Sequence, residues 1–305
     1  MNAYPGGVWP VMLTPFRRGG EIDEDGLRAL VDWYIAHGVD GLFACCQSSE
    51  IYWMNLAERV RITEITRSQA AGRVPVVASG HVSDDFDEQI RELEAIAATG
   101  VDAVILITNH LAKPDESDDT WMSNMEKLIA RLDPSVRLGA YECPLPYKRL
   151  MSPAMAGFIA GTGRFYFLKD TCCDAATIRE KLAAIRGTNL KLYNANSTTV
   201  LESLLDGAPG YSGIMANFHP ELYVWLTRNP HSPKAQRVQD MLTLSSLIER
   251  QLYPVNAKHH LKEIEKLPIT TFSRAQDDAL LSETFKTEVR MMNRAMNALY
   301  EEVCG

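Results

Sequence analysis

The chain has 305 residues, of which 46% are hydrophobic and 23% charged, and carries a formal net charge of -8. These are the proportions of an ordinary globular protein, and the acidic balance without a basic stripe excludes a nucleic-acid footprint. No segment approaches the roughly 18 apolar residues of a membrane span.

The N-terminal Met1-Asn2-Ala3-Tyr4-Pro5 lacks a basic region followed by an apolar run, so no leader and no membrane partner are expected. The six cysteines include the vicinal pairs Cys45-Cys46 and Cys172-Cys173, but no C-x-x-C spacing. Reduced thiols in a cytoplasmic protein are the expected state. Several of these cysteines fall near strand ends, where a thiol site is conceivable; small buried packing is their commoner role, and no metal or cofactor is expected.

The first strand is predicted over Gly7–Leu13, ending in Thr14-Pro15-Phe16. A helix follows from about Glu24, because Leu27, Leu30, Val31, Tyr34 and Ile35 recur on one helical face, and Gly38 suits its left-handed end. Gly38-Val39-Asp40 then leads into a strand over Gly41–Cys45, and the same tripeptide returns at Gly100-Val101-Asp102, which marks a βα repeat. Further strands are predicted over Val74–Ala78, Ala103–Ile107, Val136–Tyr141, Phe165–Lys169, Leu190–Tyr193 and Tyr211–Ile214, separated by helical stretches such as the one carrying Ile90, Leu93, Ile96 and Ala97.

Eight such alternations predict an α/β chain folded as a (β/α)8 TIM barrel with a C-terminal helical appendage. Residues 1–217 would form the barrel core. Residues 218–305 would hold the final barrel helix and helical segments near 234–250, 256–266 and 277–302, broken by Pro230, Pro233, Pro254 and Pro268.

In such a barrel the chemistry sits at the C-terminal ends of the strands. Lys169 ends the sixth strand and shares a face with Phe165 and Phe167; if that face points inward, desolvation frees its amine for attack on a carbonyl. A lysine there can equally reach solvent or pair with Asp170. Tyr141 ends the preceding strand, where a phenol could relay protons or simply fill the core. The polar turn Gln47-Ser48-Ser49 after the second strand offers hydroxyls and backbone amides to a carboxylate, or is loop chemistry alone.

His110 and Glu142 lie at strand ends as candidate acids, bases or rim residues. Asn196 and Ser212 could contact a small substrate or serve their loops.

Taken in order, Thr14-Pro15-Phe16, Gly38-Val39-Asp40-Gly41, the turn ending in Glu50, Tyr141 with Pro144, Phe167-Leu168-Lys169-Asp170 and Gly210 to Asn217 resemble the N-acetylneuraminate lyase and dihydrodipicolinate synthase family of class I aldolases and lyases. The resemblance implies that Lys169 forms a Schiff base with a small 2-oxo acid such as pyruvate, that Tyr141 is the proton-relay phenol, that the turn before Glu50 takes the substrate carboxylate, and that the protein is a homo-oligomer, a tetramer. A dehydratase using the same imine and a barrel that binds a metabolite without turnover are the alternatives.

Departures from the family pattern accompany it. The turn usually reads Gly-(Thr/Ser)-Thr-Gly-Glu; here Gln47 replaces the first hydroxyl residue, and an amide cannot relay a proton. Asn109-His110-Leu111 stands where the family's synthases have Pro-Tyr-Tyr, and their arginine after the relay tyrosine is missing from Glu142–Lys148. These losses argue against dihydrodipicolinate synthase activity itself. Ser197, Thr198 and Ile214 stand where sialic-acid lyases place sugar-binding carboxylates and a serine, which argues against a long polyhydroxylated substrate.

Overall fold

Short apolar runs and longer amphipathic stretches alternate along the chain, and each run becomes a strand too short to stand alone, buried by the helix that follows it. The computed structural model describes residues 4–304. The elements are β1 (Gly7–Val8), α1 (Glu24–Ala36), β2 (Leu42–Phe43), α2 (Leu56–Ala70), β3 (Val76–Ser79), α3 (Phe86–Ala98), β4 (Ala103–Ile107), α4 (Asp118–Arg131), β5 (Leu138–Tyr141) and α5 (Pro153–Gly161). They continue as β6 (Phe165–Asp170), α6 (Ala175–Ala184), β7 (Lys191–Asn194), α7 (Val200–Leu205), β8 (Gly210–Tyr211), α8 (Pro220–Arg228), α9 (Ala235–Ser245), α10 (Val255–Glu263) and α11 (Glu283–Cys304). No helix among the described residues is long and apolar enough to cross a membrane.

All eight strands are parallel, in the order β1-β8-β7-β6-β5-β4-β3-β2. The ring closes between β1 and β2 through the parallel bridge Val11–Phe43, with Phe43 N donating to Pro10 O at 3.0 Å and Met12 N to Phe43 O at 3.0 Å. The chain is therefore the (β/α)8 barrel expected.

The run Gly7–Leu13 is not one continuous strand, because Pro10 has no N–H to give to the ladder; only Gly7–Val8 pairs regularly. Likewise β8 ends at Tyr211, and Ile214–Asn217 turns into a single 3-10 helix.

Six of the barrel helices start on a side chain that accepts the backbone N–H three residues later: Asp23, Asn55, Asp85, Ser117, Ser152 and Asp174. Caps of this kind contribute about 1 kcal/mol each and fix where each loop over the barrel mouth ends.

The C-terminal segments differ from their predicted lengths. The 234–250 stretch divides into α9 and a 3-10 turn over Ser246–Arg250, and the last helix begins at Glu283 rather than 277. They also reach back to the barrel. Lys258 of α10 reaches Glu50 Oε1 at 2.6 Å, while Ser273 Oγ and the amides of Arg274 and Ala275 reach Glu50 Oε2 at 2.9, 2.6 and 3.0 Å, so the segment after α10 is fastened across the mouth of the barrel.

Candidate active site

Along β6, Phe165, Phe167 and Lys169 share one face. That face is the barrel interior: the Phe167 ring lies 5.2 Å from Trp9, 5.8 Å from Phe43 and 4.4 Å from Tyr193, centroid to centroid. These rings form an aromatic layer in the barrel interior below the strand end. On β5, Gly139 keeps the approach to β6 close, since a Cβ there would meet Phe167 O at 2.8 Å and Ile105 Cδ1 at 2.4 Å.

Lys169 Nζ lies 4.1 Å from the centroid of the Tyr141 ring. Burial pulls its ammonium below the ordinary lysine range, against the opposing pull of the Cys46 and Cys143 sulfurs and of Glu249.

Asp170 does not pair with Lys169. It faces the helix layer, where its Oδ2 is 2.6 Å from Lys181 Nζ of α6, and the same ammonium sits 2.6 Å from Glu142 Oε1. Three lysines are buried among the described residues: Lys169, Lys181 and Lys258. Lys181 holds two carboxylates and Lys258 holds Glu50. Lys169 has no ion pair among the described residues and opens on a cavity of about 320 Å3.

That cavity is lined by Gln47, Ser48, Tyr141, Lys169, Thr171 and Asn196, together with Ile214, Glu249, Tyr253, Gln276 and the exposed Lys148. Five of the sequence-predicted residues thus come together: Lys169, Tyr141, Gln47, Ser48 and Asn196. Asn196 Oδ1 already accepts the amides of Thr198 and Thr199 at 2.9 and 3.1 Å, so only its NH2 end remains for a ligand.

Burial raises the Tyr141 phenol well above its ordinary pKa, helped by the neighbouring Cys143 and Cys46 sulfurs, so it stands protonated as a donor.

The other four lie elsewhere. Ser49 is fully buried and fastens its turn: its Oγ sits 2.7 Å from Met12 O and 2.9 Å from Ala44 O and accepts from Cys46 N at 3.1 Å. Glu142 follows Tyr141 on the strand and so faces the opposite way, binding Lys181 and the amides of Met151 and Thr171 at 2.8 and 2.6 Å. Ser212 is fully buried and does not line the cavity. His110 sits behind the cavity wall, in the 3-10 turn Thr108–His110, with Nε2 3.3 Å from Tyr52 Oη. The Asn109 carboxamide beside it donates to Cys143 O, Leu145 O and Tyr147 O at 3.0, 2.6 and 2.6 Å, knitting the loop after β5 to the turn after β4.

Sequence reasoning missed Glu249, Tyr253 and Gln276. Glu249 comes from the turn after α9; burial raises its carboxyl, while Arg250 and then Lys169 lower it. The Tyr253 hydroxyl accepts from Asn217 Nδ2 at 3.1 Å. No local signal marks these residues, since only the fold of the last third of the chain carries them to the cavity.

Comparison with known proteins yields a family match described as the dihydrodipicolinate synthetase family, over residues 4–270. A 4-hydroxy-tetrahydrodipicolinate synthase of Methylococcus capsulatus is 28% identical over 261 residues, covering 85% of this chain and 83% of that protein. Among solved structures, a monomeric dihydrodipicolinate synthase variant superposes with a TM-score of 0.85 at 19% identity, covering 96% of this chain and 97% of the other. YagE, a prophage protein from E. coli K12 in complex with pyruvate, superposes with a TM-score of 0.82 at 21% identity, over 96% of this chain and 98% of the other.

Proposed function

The chain belongs to the dihydrodipicolinate synthetase family, and from that premise we propose that it is a Schiff-base-forming lyase or aldolase acting on a small 2-oxo acid, pyruvate or an aldol derived from it. The observation that carries this reading is Lys169: a buried amine without a carboxylate partner among the described residues, facing a cavity, over a phenol that stands protonated.

In this reading the neutral amine attacks the C2 carbonyl and Tyr141 gives its proton to the departing hydroxyl. The resulting imine withdraws electrons as a carbon–carbon bond forms or breaks. The turn at Gln47 and Ser48 is the proposed carboxylate seat. A cavity at the low end of ligand-site volumes favours a short substrate.

The synthase activity of the relatives is not carried over. The arginine expected after the relay tyrosine is missing from Glu142–Lys148, and Glu142 itself is turned away onto Lys181. A cytoplasmic homotetramer belongs to the same reading, supported by the exposed Leu244, Leu247 and Met291 on the outer C-terminal segments.

Glu249 favours a dehydratase as the second reading, because a carboxyl whose pKa burial raises, lining the same cavity as Lys169, offers a proton donor for a leaving hydroxyl. Product analysis on short 4-hydroxy-2-oxo acids separates the two. Pyruvate plus an aldehyde is the expected outcome; a new oxo acid with loss of water alone would make it a dehydratase. An imine at Lys169 with no product from any of them would leave a metabolite-binding barrel.

A further inference from the structure

Together with α10, α11 and Arg18, the stretch from Thr271 to Leu281 lines a second hollow of about 610 Å3, which shares no residue with the Lys169 cavity. The imine reading gives it no task. His259 and Lys262 stand one turn apart on α10, and Lys286 and Arg290 one turn apart on α11, so each pair shares a helix face. With Arg18, four cations meet two carboxylates there, Glu263 and Asp278, and the hollow keeps two positive charges in excess within a chain of net charge -8.

These cations are unequally satisfied. Arg18 Nη1 reaches Asp278 Oδ2 at 2.6 Å, and Lys262 Nζ reaches Glu263 Oε1 at 2.9 Å. Lys286 pairs with Glu283, whose side chain is largely exposed, and a pair of that kind holds little. Arg290 has no carboxylate partner among the described residues; its guanidinium donates to Thr287 Oγ1 at 2.8 Å. His259 is 6% exposed, and its Nε2 has no hydrogen-bond partner among the described residues. Burial pulls the His259 ring below the ordinary histidine range, and Lys286, Arg290 and Lys262 pull the same way against Glu263. A buried ring nitrogen without a partner and an arginine without a counter-charge point to a ligand that accepts hydrogen bonds and is negatively charged.

We infer that this hollow is a binding site for a small tetrahedral dianion, the phosphate group of a phosphomonoester, separate from the imine chemistry and not dependent on it. Such a group carries about -1.5 to -2 charges at neutral pH, which matches the excess, and its oxygens suit both a guanidinium fork and ammonium point charges. A bound dianion also supplies the counter-charge that His259 lacks. It raises the pKa of the ring, binding takes up a proton, and affinity rises as the pH falls. The other charged groups around the ring are Lys262 and Glu263 on α10, Glu283, Lys286 and Arg290 on α11, and Arg18 and Asp278. These are residue types that ordinarily titrate well away from neutrality.

The test titrates the full chain calorimetrically with sodium sulfate, without any oxo acid, at an ionic strength held constant with sodium chloride. Sulfate is the probe because it stays a dianion where histidine titrates, as phosphate does not. One saturable site is expected, at least about threefold tighter near pH 6 than near pH 8, and glycerol 3-phosphate should compete for it. Arg290→Gln, an exposed change on α11, should weaken sulfate binding by about tenfold, the loss of one charge-assisted contact, and keep the pH dependence. His259→Gln should lose the pH dependence. No saturable binding by the wild-type protein, or unchanged affinity in Arg290→Gln, would overturn the site. Sedimentation with phosphatidic acid vesicles, while free glycerol 3-phosphate fails to displace sulfate, would overturn its assignment to a small ligand. A pH dependence that survives in His259→Gln would overturn the part given to His259. The imine at Lys169 stands or falls separately.

Discussion

Lys181→Met is expected to destabilise the protein by about 3–5 kcal/mol, the usual consequence of removing one partner from a buried ion cluster. Lys181, Glu142 and Asp170 are fully excluded from solvent, and the ammonium touches both carboxylates at 2.6 Å. Burial alone would pull the Lys181 ammonium down; the two carboxylates more than offset this and hold it charged. Methionine fills the space but leaves two carboxylates in a dry site with nothing to neutralise them.

The cluster also ties the ends of β5 and β6 to α6, so Tyr141 and Lys169 lose their common footing with it. Urea or thermal unfolding measures the loss. The triple variant Glu142→Gln, Asp170→Asn, Lys181→Met should regain part of the stability, since no uncompensated charge remains. A Lys181→Met protein within 1 kcal/mol of wild type, on the same order as a surface substitution, would show that the cluster does not hold these strand ends.

Tyr141→Phe should reduce exchange of the pyruvate methyl protons with deuterated solvent by about 10²–10⁴-fold, the range for a positioned general acid–base group. The ring stays, and with it the 5.7 Å contact with Phe43 and the cover over Lys169 Nζ, so the change isolates the hydroxyl. NMR of the methyl signal follows the exchange. A loss of threefold or less would assign the proton transfers to another group, with Glu249, which lines the same cavity, the candidate.

What the sequence disclosed depended on how local its signal was. Periodicity sufficed for α1, whose apolar face is local, and strand parity sufficed for Lys169, because Phe165 and Phe167 mark the inward face two and four residues before it. The same parity sends Glu142, next to Tyr141, to the opposite face, and there it meets Lys181. Lys181 itself carries a faint mark: it lies three residues after Ile178, on the buried side of α6. Ser49 looked like Ser48 by type, but the 3-10 turn gives Ser48 to the cavity and Ser49 to the backbone oxygens beneath it.

Glu249, Tyr253 and Gln276 were out of reach of such reasoning, since their approach to Lys169 is set by the clasp of Glu50 on Lys258 and the 273–275 backbone, a contact spanning more than two-thirds of the chain.

The central claim is that Lys169 forms the imine, and borohydride reduction in the presence of pyruvate, followed by peptide mass mapping, tests it most directly. The account predicts one reduced adduct on Lys169, none on the ion-paired Lys181 and Lys258, and none in Lys169→Ala. An unmodified Lys169, or an adduct of equal yield in Lys169→Ala, would contradict it.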